Sequence, residues 1–126
     1  MWIVGLVAVG VLLEGCGAAY TKQDFIARAD AICTTTVRAT RLIAPPSFGH
    51  AGPEQLRALS GYTAKVLPLV QDEANRLRGL PRPQGGAAAD KTTLTGFLGA
   101  FTALVGDYEN LQTAASQADA PGVARA

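Results

Sequence analysis

The stretch from Asp90 to Ala115, DKTTLTGFLGAFTALVGDYENLQTAA, decides the fold, because its apolar residues recur every three or four positions. That spacing places side chains on one face of a helix. We expect a helix that begins with Asp90 as its N-cap and runs to about Ala115. Its core-facing residues are predicted to be Leu94, Phe97, Phe101, Leu104, Tyr108, Leu111 and Ala115, with Leu98 and Val105 beside them.

Two further helices are predicted upstream. Thr21 and Asp24 form a capping-box pattern at the start of the first, and Pro45-Pro46 ends it. The second begins at Pro53, and Pro68 should kink it or split it in two. The predicted core-facing residues are Phe25, Ala29, Ile32, Thr36, Ala39 and Ile43 in the first helix and Leu56, Leu59, Thr63, Val66, Val70, Glu73 and Leu77 in the second.

The pattern contains no strand-like alternation, so the fold class is all-α. Each predicted helix has about 23–26 residues and is roughly 35–39 Å long. Matched lengths and short loops favour a three-helix up-down-up antiparallel bundle after an N-terminal signal helix, with the second helix kinked at Pro68. The residues after Asp119 lack periodicity and are expected to form a frayed tail.

The first sixteen residues have the features of an export signal. The apolar stretch Trp2–Leu13 is 12 residues long, short of the roughly 20 that a membrane-spanning helix needs and typical of a signal's apolar region. Leu13-Glu14-Gly15-Cys16 resembles the lipobox of bacterial lipoproteins. The resemblance implies cleavage before Cys16 and attachment of a diacylglycerol to its thiol. A short uncleaved anchor and plain secretion are the alternatives.

The remaining chain resembles a family as well. The stretch Tyr20–Cys33, YTKQDFIARADAIC, and the Leu80–Pro83 turn resemble small uncharacterised lipoproteins of actinobacteria. The resemblance implies an all-helical envelope protein with no assigned activity. The expected organisation is a signal peptide (1–15), a lipidated tether (16–21), a helical bundle (22–118) and a flexible tail (119–126).

The composition excludes several classes of protein. The chain has 126 residues, with 11 Lys and Arg against 10 Asp and Glu, for a formal net charge of +1. A nucleic-acid-binding protein normally has a concentrated basic excess, so we expect no nucleic-acid partner. Hydrophobic residues make up 48% and charged residues 17%, which argues against a disordered chain.

The sequence offers no constellation for catalysis. His50 is the single histidine and is expected in a loop, whereas a protein metal site needs three or four ligands. The neighbouring carboxylates Asp72 and Glu73 do not face each other on a helix; Asp72 pairs with Arg76 one turn on, and Glu73 is expected to curl to solvent. We therefore expect no enzyme activity, no metal and no cofactor.

Cys33 allows two interpretations. It is expected to pack as a small apolar residue beside Ile32, since free cysteine is among the most buried residue types. The alternative is a thiol that pairs with another protein. If Cys16 escapes lipidation, a Cys16–Cys33 disulfide would link the tether to the first helix.

Two surfaces are candidate interaction sites. Small residues on the third helix would let another backbone approach closely and form a predicted docking face for an envelope protein or a second copy: Gly96, Gly99, Ala103 and Gly106. An up-down-up bundle tethered at Cys16 also returns its second loop to the membrane side. This brings a basic cluster to face the lipid headgroups: Lys22, Arg76, Arg78, Arg82 and Lys91.

These patterns predict a non-catalytic binding or interaction module, anchored by lipid to the outer face of the cell membrane. The alternative function is a carrier of an apolar or amphipathic ligand. In that case Pro68 would open a gap between the helices, lined by Phe97, Phe101, Tyr62 and Tyr108.

Overall fold

The computed structural model describes residues 19–47, 49 and 52–126. The predicted signal helix, Cys16 and His50 lie outside these residues. Helices make up 77% of the described part and no strand occurs in it, so the fold is all-α as expected. The helices are α1 (Lys22–Thr40), α2 (Pro53–Gly79), α3 (Ala88–Ser116) and α4 (Ala120–Arg125).

The start of α1 confirms the predicted capping box. The Thr21 N–H donates to Asp24 Oδ2 at 2.8 Å, and the Asp24 N–H donates to Thr21 Oγ1 at 3.1 Å. These hydrogen bonds from Thr21 stabilise the carboxylate and lower the pKa of Asp24. The helix ends at Thr40, earlier than Pro45-Pro46 predicts. The chain tightens after the helix, because the N–H groups of Leu42 and Ile43 donate to the carbonyls of the residues three positions earlier, Ala39 and Thr40.

Helix α2 begins at Pro53 as predicted and passes through Pro68 without a break. Splitting of the helix at this proline is therefore wrong, whereas a kink stays a prediction. Pro68 lacks an N–H, which leaves the carbonyl of Ala64 without its usual donor. Both residues are exposed, so water can replace the missing hydrogen bond.

Helix α3 corrects the predicted start and the predicted core face. It begins at Ala88 with Ala87 as N-cap, and Asp90 instead occupies the first turn, where its carboxylate binds Lys22 Nζ of α1 at 2.8 Å. The buried stripe is rotated towards Leu98, which leaves Phe97 and Leu104 with 37% and 40% of their surface exposed.

The chain after Asp119 also differs from the expected flexible tail, since it forms α4. The Asp119 side chain caps this helix by accepting the Gly122 N–H at 3.0 Å, and it lies 3.9 Å from the Arg125 guanidinium. Ala118, with φ of 55°, reverses the chain so that α4 packs on α3. The start signal is local: Asp119 is followed by Pro121 in the first turn.

Helix α2 packs against both other long helices. Antiparallel contacts with α3 include Gln71 Nε2 donating to Glu109 Oε1 at 2.9 Å. The loop after α2 pairs with the start of α1 through the Gln84 N–H and the Tyr20 carbonyl, 2.9 Å apart. One apolar core joins the three helices and consists of Phe25, Ala29, Ile32, Leu77 and Leu98.

The helix lengths are unequal, which corrects the prediction of matched helices. Helix α1 has 19 residues, against 27 in α2 and 29 in α3. At 1.5 Å per residue these are about 28, 40 and 43 Å. Helix α1 is therefore too short to pack along the full length of α2 and α3. In the remaining part, α2 and α3 pair through Thr63, which is fully buried and donates to Gln112 Oε1.

Cys33 packs at the edge of the core, as its preferred interpretation predicts. Glu73 does not curl to solvent, because only 7% of its surface is exposed. Partial burial of the thiol, helped by the nearby Glu73 carboxylate, raises the pKa of Cys33 from 9.0 to about 11. The thiol is thus held in its protonated form at neutral pH.

We expect Leu77→Ala to be strongly destabilising, because the Leu77 side chain is fully buried where the three helices meet. Truncating such a leucine costs about 2–5 kcal/mol of unfolding free energy. Urea denaturation followed by circular dichroism measures the loss. Leu104→Ala, at an exposed leucine of α3, is the matched control and should cost less than about 1 kcal/mol. Equal losses for the two variants would contradict this core.

We expect Cys33 to react slowly with iodoacetamide at pH 8, because alkylation requires the thiolate. A pKa raised from 9.0 to about 11 lowers the thiolate fraction roughly a hundredfold. The rate is measured in a Cys16→Ser background, with the urea-unfolded chain as reference. Glu73→Gln removes the neighbouring charge and should speed the reaction of the folded protein. An unchanged rate in that variant would exclude a role for Glu73.

Candidate functional site

A groove opens between α1 and α3, and we call it the α1–α3 groove. Its volume is about 1050 Å³, at the upper end of the roughly 300–1,000 Å³ typical of small-molecule sites. Phe25 of α1 and Leu98 of α3 form its buried base, and both belong to the core. The groove is therefore a direct extension of the apolar core to the surface.

Two large apolar side chains on the sides of the groove are exposed. Ile26 on α1 has 44% of its surface accessible, and Phe97 on α3 has 37%. The Phe97 ring meets the Phe101 ring edge to face, with centroids 5.1 Å apart, which holds it in place. Single exposed apolar side chains are common on protein surfaces, but exposed apolar side chains that line a groove are typical of a binding site.

The threonine side chains within the groove offer no free hydroxyl proton. Four threonines line it, and each donates its hydroxyl proton to the protein itself. Thr93, Thr95 and Thr102 donate to backbone carbonyls four residues earlier in α3. Thr21 donates to the Asp24 carboxylate within the α1 capping box. The inside of the groove thus favours an apolar occupant.

The structure brings most of the predicted basic cluster to this groove. Lys22, Arg78, Arg82 and Lys91 all line it, and we call these four the groove cations. Arg76 does not line the groove; it lies 3.6 Å from Asp72, which confirms the predicted pair one helical turn apart. Sequence reasoning grouped these bases by topology alone and did not foresee the apolar groove beside them.

Three groove cations lack a carboxylate partner among the described residues. The exception is Lys22, which binds Asp90 at 2.8 Å. Arg78 donates to Ala74 and Asn75 of its own helix, and Arg82 donates to the Leu80 carbonyl. Arg78, Arg82 and Lys91 therefore leave an excess of positive charge at one end of the groove, near the start of α1 and α3.

The α1–α3 groove is not the ligand gap predicted at Pro68, because Pro68 does not line it. Of its four predicted aromatic residues, only Phe97 lines the α1–α3 groove. Tyr108 is half-buried near Tyr62, and burial, with a smaller effect of Tyr62, raises the pKa of Tyr108. Sequence reasoning also missed Ile26. The sequence feature that could have indicated it is its position: Ile26 is a large apolar residue next to Phe25 but outside the predicted core face of α1.

The predicted docking face is accessible. Gly96, Gly99 and Ala103 are exposed and Gly106 is half-buried. A Cβ atom added at any of the three glycines would meet no atom within 4 Å. Of these residues, Gly99 lines the α1–α3 groove, so part of this surface belongs to the groove.

The chain enters the bundle beside the groove cations. The Arg28 guanidinium lies 5.1 Å from the centroid of the Tyr20 ring, and Tyr20 also packs against the core. Thr21, the next residue, lines the groove. Tyr20 and Thr21 therefore lie at the basic end of the groove, where the Gln84 N–H also donates to the Tyr20 carbonyl.

The described residues contain neither a metal-binding cluster nor a membrane-spanning helix. No group of three or more His, Cys, Asp or Glu side chains there could hold a metal ion. None of the helices found there is both long enough and apolar enough to cross a membrane.

Comparisons with known proteins add no relative. No family model, no curated protein and no solved structure matches this chain.

Proposed function

We propose that this chain is a lipid-anchored protein of the outer face of the cell membrane that binds an amphipathic ligand in the α1–α3 groove. In this proposal α1, α2 and α3 form an up-down-up antiparallel three-helix bundle, and no reaction is catalysed. The function is that of a carrier or binding module of the cell envelope.

One observation supports the binding function most: Ile26 and Phe97 are exposed along an apolar groove of about 1050 Å³. An occupant that covered both side chains would remove a large apolar area from water. Complete burial of a fully exposed side chain of this size contributes about 1.5–3 kcal/mol, and covering the 44% of Ile26 and the 37% of Phe97 that are exposed would contribute less than half of that for each. This free-energy gain on covering Ile26 and Phe97 favours a binding function over a purely structural role.

The proposed anchor is supported by the first sixteen residues. An apolar stretch of 12 residues, Trp2–Leu13, precedes a lipobox-like Leu-Glu-Gly-Cys sequence that ends at Cys16. A diacylglycerol on that thiol would supply two acyl chains, which is what stable anchoring by lipid requires.

The anchor and the groove are close in the chain. Thr21 is the fifth residue after Cys16, which is a reach of at most about 18 Å of extended backbone. An anchored bundle would therefore hold its groove cations near the lipid headgroups. Each base near an anionic membrane surface contributes about 1 kcal/mol, which would favour an orientation with the basic end of the groove towards the membrane.

We expect Cys16→Ala to release the protein from the membrane, because the variant lacks the thiol that would carry the acyl chains. Membrane and soluble fractions of cells that express the full chain are compared by immunoblotting. Cys33→Ala, which changes the other cysteine, is the matched control and should remain in the membrane fraction. Retention of Cys16→Ala in membranes would contradict the anchor.

Ligand binding is tested separately by native mass spectrometry of the full chain purified from its host. We expect a co-purified lipid with a stoichiometry of one per chain. A ligand-free dimer, or a complex with another protein and no lipid, would instead favour docking through the predicted glycine face.

A further inference from the structure

We infer that the occupant of the α1–α3 groove is an anionic phospholipid, with its phosphate at the groove cations and an acyl chain along Ile26 and Phe97. This inference rests on the proposed binding function and names the class of ligand. It follows from two properties of the groove that occur together, the positive charge at one end and the apolar side chains Ile26 and Phe97 along its sides.

Charge complementarity selects the headgroup. Arg78, Arg82 and Lys91 line the groove without a carboxylate partner in the described part of the chain. Arginine binds phosphate through paired N–H donors, and lysine binds it as a compact charge. A phosphate here would neutralise the local positive excess, whereas an uncharged headgroup would leave it unchanged.

The groove also contains two carboxylates, which fix the orientation of the ligand. Asp90 is neutralised by Lys22 at 2.8 Å. Asp30 has no such partner among the described residues and lies eight residues after Lys22 on α1, about 12 Å further along the helix. A phosphate is therefore attracted to the end near Lys22 and Lys91 and repelled by the end near Asp30.

The rest of the groove suits an acyl chain better than a peptide. A peptide needs donors for its backbone carbonyls, but the four threonine hydroxyls in the groove already donate their protons to the protein and can only accept. From Asp90 to Thr102 the groove follows α3 for about 18 Å. A chain that lies along it would cover Ile26 and Phe97 and leave the headgroup at the basic end.

The first test compares two lysolipids with the same acyl chain, lysophosphatidylglycerol and lysophosphatidylcholine. Their binding to the full-length Cys16→Ala protein is measured by isothermal titration calorimetry below the critical micelle concentration. We expect the anionic lipid to bind about tenfold more tightly at low salt, and the difference to shrink as salt screens the groove cations. Equal affinity at low salt would overturn the choice of an anionic headgroup.

The second test changes the shape of the groove. Gly99→Leu places a side chain into the groove, whereas Gly96→Leu adds the same side chain to α3 outside it. Leucine favours a helix more than glycine does, so both variants are expected to fold. We expect Gly99→Leu to weaken binding of both lysolipids about tenfold or more, and Gly96→Leu to leave it unchanged.

The third test changes the apolar sides without filling the groove. Ile26→Glu and Val37→Glu alter two residues of α1 that are equally exposed, at 44%, but only Ile26 lines the groove. Ile26→Glu should weaken binding of both lysolipids about tenfold, and Val37→Glu should not. Equal effects of the two substitutions would overturn the acyl position.

The fourth test changes the headgroup contacts. Arg82→Gln combined with Lys91→Gln removes two of the three unpaired groove cations and should strongly reduce the preference for lysophosphatidylglycerol, while binding of lysophosphatidylcholine stays unchanged. Lys65→Gln removes an exposed base that does not line the groove and serves as the control. A preserved preference in the double variant would contradict the headgroup position.

The outcomes separate this inference from the proposed function. If neither lysolipid binds but native mass spectrometry finds another small ligand, the phospholipid is wrong and the binding function stands. If no ligand of any kind is found, both are wrong. The membrane release of Cys16→Ala tests the anchor independently of either result.

Discussion

The structure depends on one constraint: α2 has to supply an apolar surface to two helices at once. Leu77 and Ala74 are completely buried, and Leu77 shares one core with Phe25 of α1 and Leu98 of α3. The small side chain of Ala74 takes little room at this crowded position. Because α1 and α3 both depend on α2, their own contact with each other is secondary, and the groove between them is a consequence of this arrangement.

The sequence predicted α2 best, since all seven residues expected on its core face are buried, including Glu73. A helix that packs on two sides tolerates error in the predicted orientation of its apolar face. Helix α3 packs mainly on one side, so a rotation of its face changes which residues are buried. Periodicity alone could not distinguish Leu98 from its neighbour Phe97, because both are apolar and adjacent. Only the position of α2 decides between them.

The candidate site was only partly predictable. Its bases could be grouped in advance, because they follow helix ends and the second loop, whose positions depend on topology. The groove could not, since its existence depends on the separation of α1 and α3, which no local pattern encodes. Ile26 shows this limit clearly. In the sequence it is one apolar residue outside the expected core face of α1. Only the structure shows that it lines the α1–α3 groove together with Phe97.

The burial of Cys33 has a consequence for the maturation of the chain. Thiol–disulfide exchange begins with attack by a thiolate, and the raised pKa of Cys33 keeps that species scarce. In an oxidising compartment, the Cys33 thiol of the folded domain would therefore rarely form a mixed disulfide with a thiol–disulfide oxidoreductase. A protein of this design could mature in such a compartment with an unpaired cysteine and still avoid covalent capture by its neighbours.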